Sequence, residues 1–402
     1  MKKSLIFLLM LAVLIFAATA NAEVTKLVVW QSSGAQEEFL NMMGEVYTEE
    51  TGVEIEVLPV NQLDQDDKLA LDGPSGKGAD ILAWPHDQLG IPVLQGLLWP
   101  IPEDRVDLSN YSATAVQGMM LDGKLYGIPY AMETTTLIYN RDLVSEIPDT
   151  FAEFLEKAKE LNKPAEDQYG FMAKLDDLYF MYGFMSGHGG YVFEHTEDGF
   201  DVDDIGLANE GSIKAMELIK SFRTSGLMPE GTTYDVMDGQ FTSGNLAVCL
   251  NGPWAFNNYK EAGIDYGIAT MPALDNGEYP HTFVGVKGYY ISAFSEQKEE
   301  ALQFIQWLTS KELNFRQYQE TQIIPARSDV IAMPELENDP DIHAFAVQAE
   351  RGHPMPNIPE MSQVWEAMNN ALSFIANGDA PPEVVMPAAV EQIKENIAMM
   401  KK

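Results

Sequence analysis

The stretch LVVWQSSGAQEEFLNMMGEVYTEETGVEIEV, residues 27–57, predicts a strand, a helix and a second strand. Residues 27–30 form a short apolar run, and apolar side chains over residues 39–46 recur at the spacing of one helix face before Gly52, a residue typical of helix ends. Valine and isoleucine then alternate with glutamate over residues 53–57, as in a strand with one face in water. A strand–helix–strand unit of this kind indicates a parallel α/β sheet.

The same alternation of strands and helices continues along the chain. Residues 80–84 predict an apolar strand that ends in Trp84, and open α/β sheets bind their ligands at such carboxyl ends. Residues 213–222 and 301–308 have helical spacing, and residues 246–250 predict a strand that leads into a turn with Trp254 at its end. The 402 residues exceed what a single core usually serves, so two α/β domains are expected.

The N-terminus has the pattern of a cleaved export signal. A basic start is followed by an apolar run over residues 5–17 and a small-x-small site at residues 20–22, so residues 1–22 are expected to be removed. A membrane anchor is the alternative, but the run is shorter than the roughly 20 residues that span a bilayer. Because Cys249 is the only cysteine, no internal disulfide and no acylated cysteine behind the leader can form. A free periplasmic protein without a lipid anchor is expected, and secretion stays an open alternative.

The charge of the chain excludes some partners. There are 61 acidic and 25 basic residues, for a net charge of −36, and no cluster of lysine or arginine interrupts them. Such a surface repels phosphate backbones and anionic lipid headgroups, so nucleic acid is not expected as a partner.

The motifs of common enzymes and cofactor sites do not occur in the sequence. There is no GxSxG, HExxH, CxxC or GxGxxG pattern, and the six histidines are scattered singly, so neither a metal nor a cofactor is expected. Asp64, Asp66 and Asp67 lack the ligand spacing of a calcium loop. A pair of carboxylates could serve a glycosidase, but 61 acidic residues produce such pairs by chance.

Three tryptophans lie in proline-rich or polar settings. Trp84, Trp254 and Trp365 are therefore expected to be exposed to a ligand or a partner, because a large apolar ring is costly to leave in water. A pyranose offers an apolar face that stacks on such a ring and a rim of hydroxyls that bind carboxylates and amides. The alternative is that these rings pack the domains together. Trp307 lies on a helical apolar face and is expected in the core.

Six segments of the chain resemble the maltose/maltodextrin-binding proteins among the solute receptors of ABC importers. The resemblance covers nearly all of the chain behind the leader. Its segments are ADILAWPHDQLG from Ala79, DGKLYGIPYAMETTTLIYN from Asp122, LYFMYGFMSGHGGYVF from Leu178, NGPWAF from Asn251, FVGVKGYYISA from Phe283 and PMPNIPEMSQVW from Pro354.

The resemblance implies a periplasmic binding protein of type II: two Rossmann-like α/β lobes joined by a hinge of several crossings. Residues 23–131 and 284–335 would form the N-terminal lobe, and residues 132–283 and 336–402 the C-terminal lobe. Maltose or a maltodextrin would bind in the cleft between them and stabilise the closed form, which a membrane permease would then recognise. A monomer is expected, and no covalent step is needed.

The resemblance also implies the residues of the site. Trp84 would stack on the sugar, and Asp87 and Glu133 would accept hydrogen bonds from hydroxyls. Asp177 replaces the usual glutamate and would serve the same role with a shorter reach. The remaining residues would stack, line the groove or contact the sugar from two loops; they are Tyr179, Phe180, Trp254, Met355, Trp365, Ser32, Gln62 and Asp64.

The chain departs from the family pattern at several positions. The residues at 32–34 are Ser-Ser-Gly where many members have Asp-Lys, and Gln62 and Asp64 lie near a family Lys/Glu pair in an uncertain alignment. Gln88 and Asn369 stand where some members have arginine. The resemblance therefore leaves another oligosaccharide or α-glucoside open as the ligand, and a secreted glycosidase stays the alternative from a different class.

Overall fold

The computed structural model describes residues 25–196 and 199–401. The predicted leader, residues 1–22, lies outside the described residues. Strands and helices alternate along the described chain, which confirms the α/β prediction. Within these two ranges, none of the helices combines the length and the apolar character needed to cross a bilayer.

The strands are numbered in chain order. They are β1 (Lys26–Gln31), β2 (Glu54–Pro59), β3 (Ile81–Pro85), β4 (Met120–Leu121), β5 (Lys124–Leu125), β6 (Gly127–Thr134), β7 (Thr136–Asn140), β8 (Tyr169–Met172), β9 (Glu194–Thr196), β10 (Gly199–Asp201), β11 (Leu246–Asn251), β12 (Tyr266–Ala269), β13 (Phe283–Ile291), β14 (Ile324–Pro325) and β15 (His353–Pro354).

The α-helices are numbered in the same way. They are α1 (Ala35–Thr51), α2 (Gln65–Asp72), α3 (Gly90–Leu94), α4 (Ala113–Gly118), α5 (Phe151–Leu161), α6 (Leu178–Ser186), α7 (Glu210–Thr224), α8 (Tyr234–Thr242), α9 (Phe256–Glu261), α10 (Lys298–Leu308), α11 (Lys311–Thr321), α12 (Ser328–Ile331), α13 (Pro334–Glu337), α14 (Pro340–Arg351), α15 (Ser362–Asn377) and α16 (Pro382–Met400).

The first strand–helix–strand unit forms as the sequence predicts. β1 and β2 pair in parallel, in a register that places Val29 opposite Val57. Between them, α1 ends at Gly52, whose φ of 79° lies in the left-handed region and whose N–H donates to Thr48 O. Glycine takes this conformation without the strain that a Cβ would bring, so Gly52 fixes the end of the helix.

Two main sheets organise the chain. The larger sheet has the strand order β14-β6-β13-β3-β1-β2, with β15 beside β13. The smaller sheet has the order β12-β7-β11-β8. We call the larger sheet without β15, together with its helices, the first lobe. The smaller sheet and its helices form the second lobe, to which we assign β15 because Met355 next to it packs in the same core.

Each lobe has its own hydrophobic core. The first core contains Ala131 and Val286, and the second contains Leu137 and Phe283. The first two predicted boundaries, 131/132 and 283/284, therefore lie between members of the two cores. Near the third boundary Val330 already packs in the second core, ahead of the predicted residue 335. The exact lobe boundaries stay a prediction.

Extended segments connect the lobes. Only Thr135 separates β6 in the first sheet from β7 in the second, so one extended segment runs from lobe to lobe. β13 lies antiparallel to β6 beside it. The Thr134 hydroxyl donates to Phe283 O at 2.8 Å and lies 2.7 Å from the Thr282 hydroxyl, which ties the two crossings together. This arrangement is an ordered hinge rather than a flexible tether.

Candidate ligand-binding cleft

Strand β3 leads into one wall of the space between the lobes. Trp84, near its end, is fully buried and stacks on Tyr290 with the ring centroids 5.0 Å apart. The expectation of an exposed Trp84 is therefore wrong, because a tyrosine some 200 positions later in the chain covers the ring. Its indole Nε1 is buried without a hydrogen-bond acceptor among the described residues. The structure therefore offers a ligand this polar edge, and the predicted stacking of a sugar on the Trp84 ring is untested.

Asp87 follows in the turn behind β3. Its Oδ1 is buried without a hydrogen-bond partner in the described part of the chain. Burial, together with the negative charge of Glu133, raises the pKa of Asp87 to about 7, although a hydrogen bond from the Trp365 side chain opposes the shift. Asp87 and Trp365 come from different lobes, so this contact lies across the cleft.

The floor of the cleft is formed by β6 and β13. Glu133 on β6 and Lys287 on β13 are nearly buried, and Lys287 Nζ lies 2.9 Å from Glu133 Oε1. Tyr130 on β6 is also buried and stacks on Tyr289, with the ring centroids 4.3 Å apart. The Tyr130 hydroxyl interacts with the side chain of Gln31 at the carboxyl end of β1. It also lies close enough to Glu133 for an electrostatic interaction with that carboxylate. One polar surface therefore extends along the first lobe.

Aromatic rings of the second lobe form the opposite wall. Tyr179, Trp254 and Trp365 are half-buried, whereas Phe180 is buried. The Trp254 ring lies 5.8 Å from that of Tyr179 and 6.0 Å from that of Phe180. Tyr179 feels the charges of Glu133 and Asp87, and burial raises its pKa well above the usual range, so the hydroxyl stays protonated. The wall thus presents ring faces and one phenol to the first lobe.

Asp177 is engaged within its own lobe. Its Oδ1 accepts from the Tyr179 N–H at 2.9 Å and caps α6, and its Oδ2 pairs with Lys174 at 2.7 Å. Both oxygens already have partners. The predicted role of Asp177 as a hydroxyl acceptor is untested and would have to share these contacts.

The two predicted loops of the first lobe meet each other. Ser32 Oγ accepts from the Gln62 N–H at 2.9 Å, and both residues are half-buried. Asp64 is exposed just ahead of α2. The structure therefore joins Ser32 and Gln62, whereas Asp64 lies in an open position. Sugar contacts from all three stay predictions.

Direct contacts hold the lobes together in a closed arrangement. His86 Nδ1 accepts from the Val286 N–H, so its Nε2 carries the proton and donates to Met355 O at 3.0 Å. Asn357 Nδ2 donates to Met120 O at 2.8 Å. A Cβ at Gly90 would lie 2.3 Å from Pro359 N, so only glycine permits this approach. Burial lowers the pKa of His86 to about 4, which keeps its ring neutral.

Buried polar atoms without a hydrogen-bond partner concentrate between the two walls. Within the described residues they include Trp84 Nε1, Asp87 Oδ1, Gln88 Oε1, Tyr179 OH and Tyr290 OH. Such atoms are costly unless something binds them. A ligand with many hydroxyls can satisfy them while its apolar faces meet the rings. A concavity of about 500 Å³ on another surface, lined by residues that include Met132 and Phe345, does not offer this combination.

Sequence reasoning missed several residues of this cleft. Gln31 directly follows the apolar run of β1, and the rule that ligands bind at carboxyl ends of strands could have found it. Tyr130, Lys287 and Tyr290 lie inside strands and belong to no enzyme or metal motif. Only the pairing of β13 with β3 and β6 brings them to the site.

Two histidines that are far apart in the sequence lie together in the structure. Among the described residues, no group of three or more His, Cys, Asp or Glu side chains could hold a metal ion. His281 and His353 are not single, because their rings stack with centroids 5.1 Å apart. His281 Nδ1 bonds with Arg351 O and His353 Nδ1 with the Tyr182 hydroxyl. The pair packs locally in the second lobe.

Fold and cleft define a two-lobed binding protein, and comparison with known proteins gives its family. Residues 43–344 match the family of bacterial extracellular solute-binding proteins. The chain belongs to this family, which confirms the resemblance drawn from the sequence. The family is one of binding proteins rather than enzymes.

Individual relatives span nearly the full length. The galactooligosaccharide-binding protein of Bacillus subtilis (strain 168) is 35% identical over 95% of this chain and 91% of its own. The maltodextrin-binding protein MdxE of the same organism is 30% identical over 94% and 92%. Both relatives are named as binding proteins for oligosaccharides.

Solved structures agree with the fold. A cyclo/maltodextrin-binding protein complexed with maltotetraose superposes with a TM-score of 0.82 at 39% identity, over 95% of this chain and all of its own. The Thermus thermophilus maltotriose binding protein bound with maltotriose gives a TM-score of 0.86 at 33% identity, over 92% of this chain and all of its own. The predicted two-lobe α/β architecture is therefore confirmed.

Proposed function

We propose that this chain is the sugar receptor of an ABC importer and that it binds maltose or a longer maltooligosaccharide between its lobes. The observation that carries the proposal is the contrast between the two walls. Polar atoms without a hydrogen-bond partner line the first wall, and half-buried aromatic rings line the second wall opposite them. Hydroxyls would bind Asp87 and Glu133, and the faces of the sugar would stack on Tyr179, Trp254 and Trp365. Relatives whose names state maltodextrin or maltooligosaccharide binding support this ligand class.

The mechanism is reversible capture without chemistry. Asp87 and Trp365 come from opposite lobes, as do His86 and Met355, so the complete site exists only when the lobes are closed. Sugar therefore stabilises the closed form by its higher affinity for that form. The membrane permease would recognise the closed arrangement, with a single chain acting as a monomer.

The location follows from the same proposal. We place the protein outside the cytoplasmic membrane, in a periplasm, after removal of residues 1–22. One pneumococcal relative is named a lipoprotein. In this sequence the only cysteine, Cys249, is buried in the second core, so a cysteine-linked lipid near the N-terminus is not expected.

A second ligand class is supported by one finding. The Bacillus subtilis relative that is 35% identical is named for galactooligosaccharides. Both ligand classes offer ring faces and hydroxyl rims, so the two walls accept either in chemical terms.

A panel of sugars tests the proposal. Titration calorimetry with maltose, maltotriose, maltotetraose, a β-galactooligosaccharide and cellobiose should give tight binding for an α-linked glucose oligomer, and a rise in melting temperature should follow the same order. Tight binding of the β-galactooligosaccharide alone would move the protein to the second class. If no sugar in the panel binds at millimolar concentration, the receptor proposal is wrong.

A further inference from the structure

An ion pair on the floor of the cleft is almost buried. The side chains of Lys287 and Glu133 are 11% and 10% exposed, and Nζ lies 2.9 Å from Oε1. Glu133 lies opposite Gly285, and Lys287 lies opposite Ala131, across the β6 and β13 pair. Since side chains two residues apart on a strand share a face, both groups emerge on the same side of the sheet.

Gly285 leaves the space over this pair open. A Cβ built on Gly285 would lie 3.3 Å from Met355 Cε, 3.5 Å from the Tyr179 hydroxyl and 3.7 Å from Glu133 Cβ. These are the second wall and the acceptor itself, so the pair lies between the two walls. A sugar in the cleft would therefore meet the ion pair directly.

The ammonium of Lys287 has unused donors. It carries three N–H groups, and within the described ranges its only polar contact is Glu133. The carboxylate of Glu133 likewise can accept more than one bond. A buried ion pair with spare donors and acceptors contributes little to stability, because desolvation offsets the attraction of its charges.

The negative charges near the ion pair are stabilised by a cation among them. Asp87 and Glu133 face the same space, and the phenols of Tyr130 and Tyr179 feel the charge of Glu133. Among the groups named here Lys287 is the only cation. It offsets the repulsion between the two carboxylates.

We propose that Lys287 contacts the sugar and acts with Glu133 as a donor–acceptor pair that binds two neighbouring hydroxyls of one pyranose. This inference rests on the proposed function and adds a specificity residue to it. A hydroxyl oxygen accepts from the ammonium while the adjacent hydroxyl donates to the carboxylate. A ring that lacks either hydroxyl leaves one half of the pair buried without a partner, so such a ring is rejected.

Lys287→Met tests the contact, since the methionine side chain is nearly as long as that of lysine but has no charge and no hydrogen-bond donors. We expect maltotriose to bind this variant at least about tenfold more weakly than wild type, as for the loss of a charged hydrogen bond. Lys26→Met is the matched control, because Lys26 is exposed and pairs with Glu54 and Glu56 at the far end of β1. The control should bind as wild type does.

Monodeoxy analogues of maltotriose separate contact from structural support. Under the proposal, one monodeoxy analogue binds wild type more weakly than maltotriose does. The same analogue and maltotriose should bind Lys287→Met with nearly equal affinity, because the ammonium that would contact the missing hydroxyl is already absent. Equal losses for both proteins with every analogue would overturn the contact. Unchanged affinity of Lys287→Met would overturn it as well.

The folding of the variant and the proposed function are checked separately. If circular dichroism shows that Lys287→Met does not fold, Lys287→Gln replaces it in the comparison of maltotriose with its deoxy analogues. The expected loss of maltotriose affinity is then smaller, and the same two results would overturn the contact. If wild type itself binds no oligosaccharide, the proposed function fails. If wild type binds and the variants bind equally well, only the role of Lys287 fails.

Discussion

On the first wall of the cleft Trp84 is fully buried against Tyr290, whereas on the second wall Trp254 is half-buried beside Tyr179 and Phe180. The first wall supplies polar atoms from strand ends and strand interiors, and its rings belong to the core. The second wall supplies ring faces from the starts of two helices and from one turn. A binding site can therefore divide its work, with hydrogen bonding on one lobe and stacking on the other.

The comparison predicts its largest effect for Trp84→Ala. Removal of a fully buried indole should lower the free energy of unfolding by about 3–5 kcal/mol, since it leaves a large cavity in the first core. The sequence alone favours a ligand or a partner for Trp84, with packing between the domains as the alternative. Urea unfolding of the sugar-free protein measures the change. A loss below about 1 kcal/mol would show that Trp84 is not a core residue.

Trp254→Ala should act mainly on binding. Because the ring is only half-buried, its loss should weaken maltotriose binding by about 30-fold or more, equivalent to about 2 kcal/mol, with a smaller effect on unfolding than Trp84→Ala. Calorimetry and urea unfolding on the same preparation give both numbers. The reverse pattern, a large loss of stability with affinity intact, would remove the distinction between the walls.

The polar first wall predicts a pH effect on closure. The pKa of Asp87 is about 7 in the closed form and has an ordinary value of 3.8, so the closed form holds a proton that an open, hydrated form releases. Closure is therefore favoured at low pH and loses this contribution as the pH rises to about 7. Asp87→Asn removes the titration, so the variant should be more closed than wild type at pH 8, and the difference should be clearly smaller at pH 5.

Small-angle scattering of the sugar-free proteins checks this difference. The contribution of His86, whose pKa is lowered to about 4 by burial, has the opposite sign and is common to both proteins, so it cancels in the comparison. Radii of gyration that keep the same difference at pH 5 and pH 8 would contradict the role given to Asp87.

Asn357→Ala should give the smallest effect. The amide donates to Gly118 O and Met120 O across the lobes, at 3.3 and 2.8 Å. Its loss should weaken sugar binding about three- to tenfold through the closed form, as for one ordinary hydrogen bond. Calorimetry at one pH suffices, and Asn338→Ala in the second lobe, whose amide donates to Pro334 O within its own turn, is the control. Equal affinities for the two variants would show that these bonds do not contribute to closure.

The local pattern of the sequence was enough to predict much of the fold. The unit β1-α1-β2 and the strand Leu246–Asn251 follow from periodicity and turn residues alone. Trp254 and Trp365 of the second wall were also predicted, because each lies in a short polar or proline-containing segment with few apolar neighbours to cover its ring. Tyr179 and Phe180 were expected from the family resemblance alone. Local signals are sufficient where one segment carries both the element and the function.

The first wall was harder to predict from sequence. The burial of Trp84 depends on Tyr290, and the charge next to Glu133 comes from Lys287, and both arrive through β13 from the far half of the chain. No spacing rule connects residues so distant in sequence. The sequence likewise gave no sign that the Asp177 carboxylate has partners within its own lobe. In the structure, Lys174 and the Tyr179 N–H already contact its two oxygens.

A crystal structure of the protein grown with maltotriose tests the division of the cleft most directly. We expect the sugar between the lobes, with its ring faces on Tyr179, Trp254 and Trp365 and its hydroxyls within hydrogen-bond distance of Asp87 and Glu133. Maltotriose bound outside the cleft, or bound in it with hydroxyls toward the second wall and ring faces toward Trp84, would contradict the account.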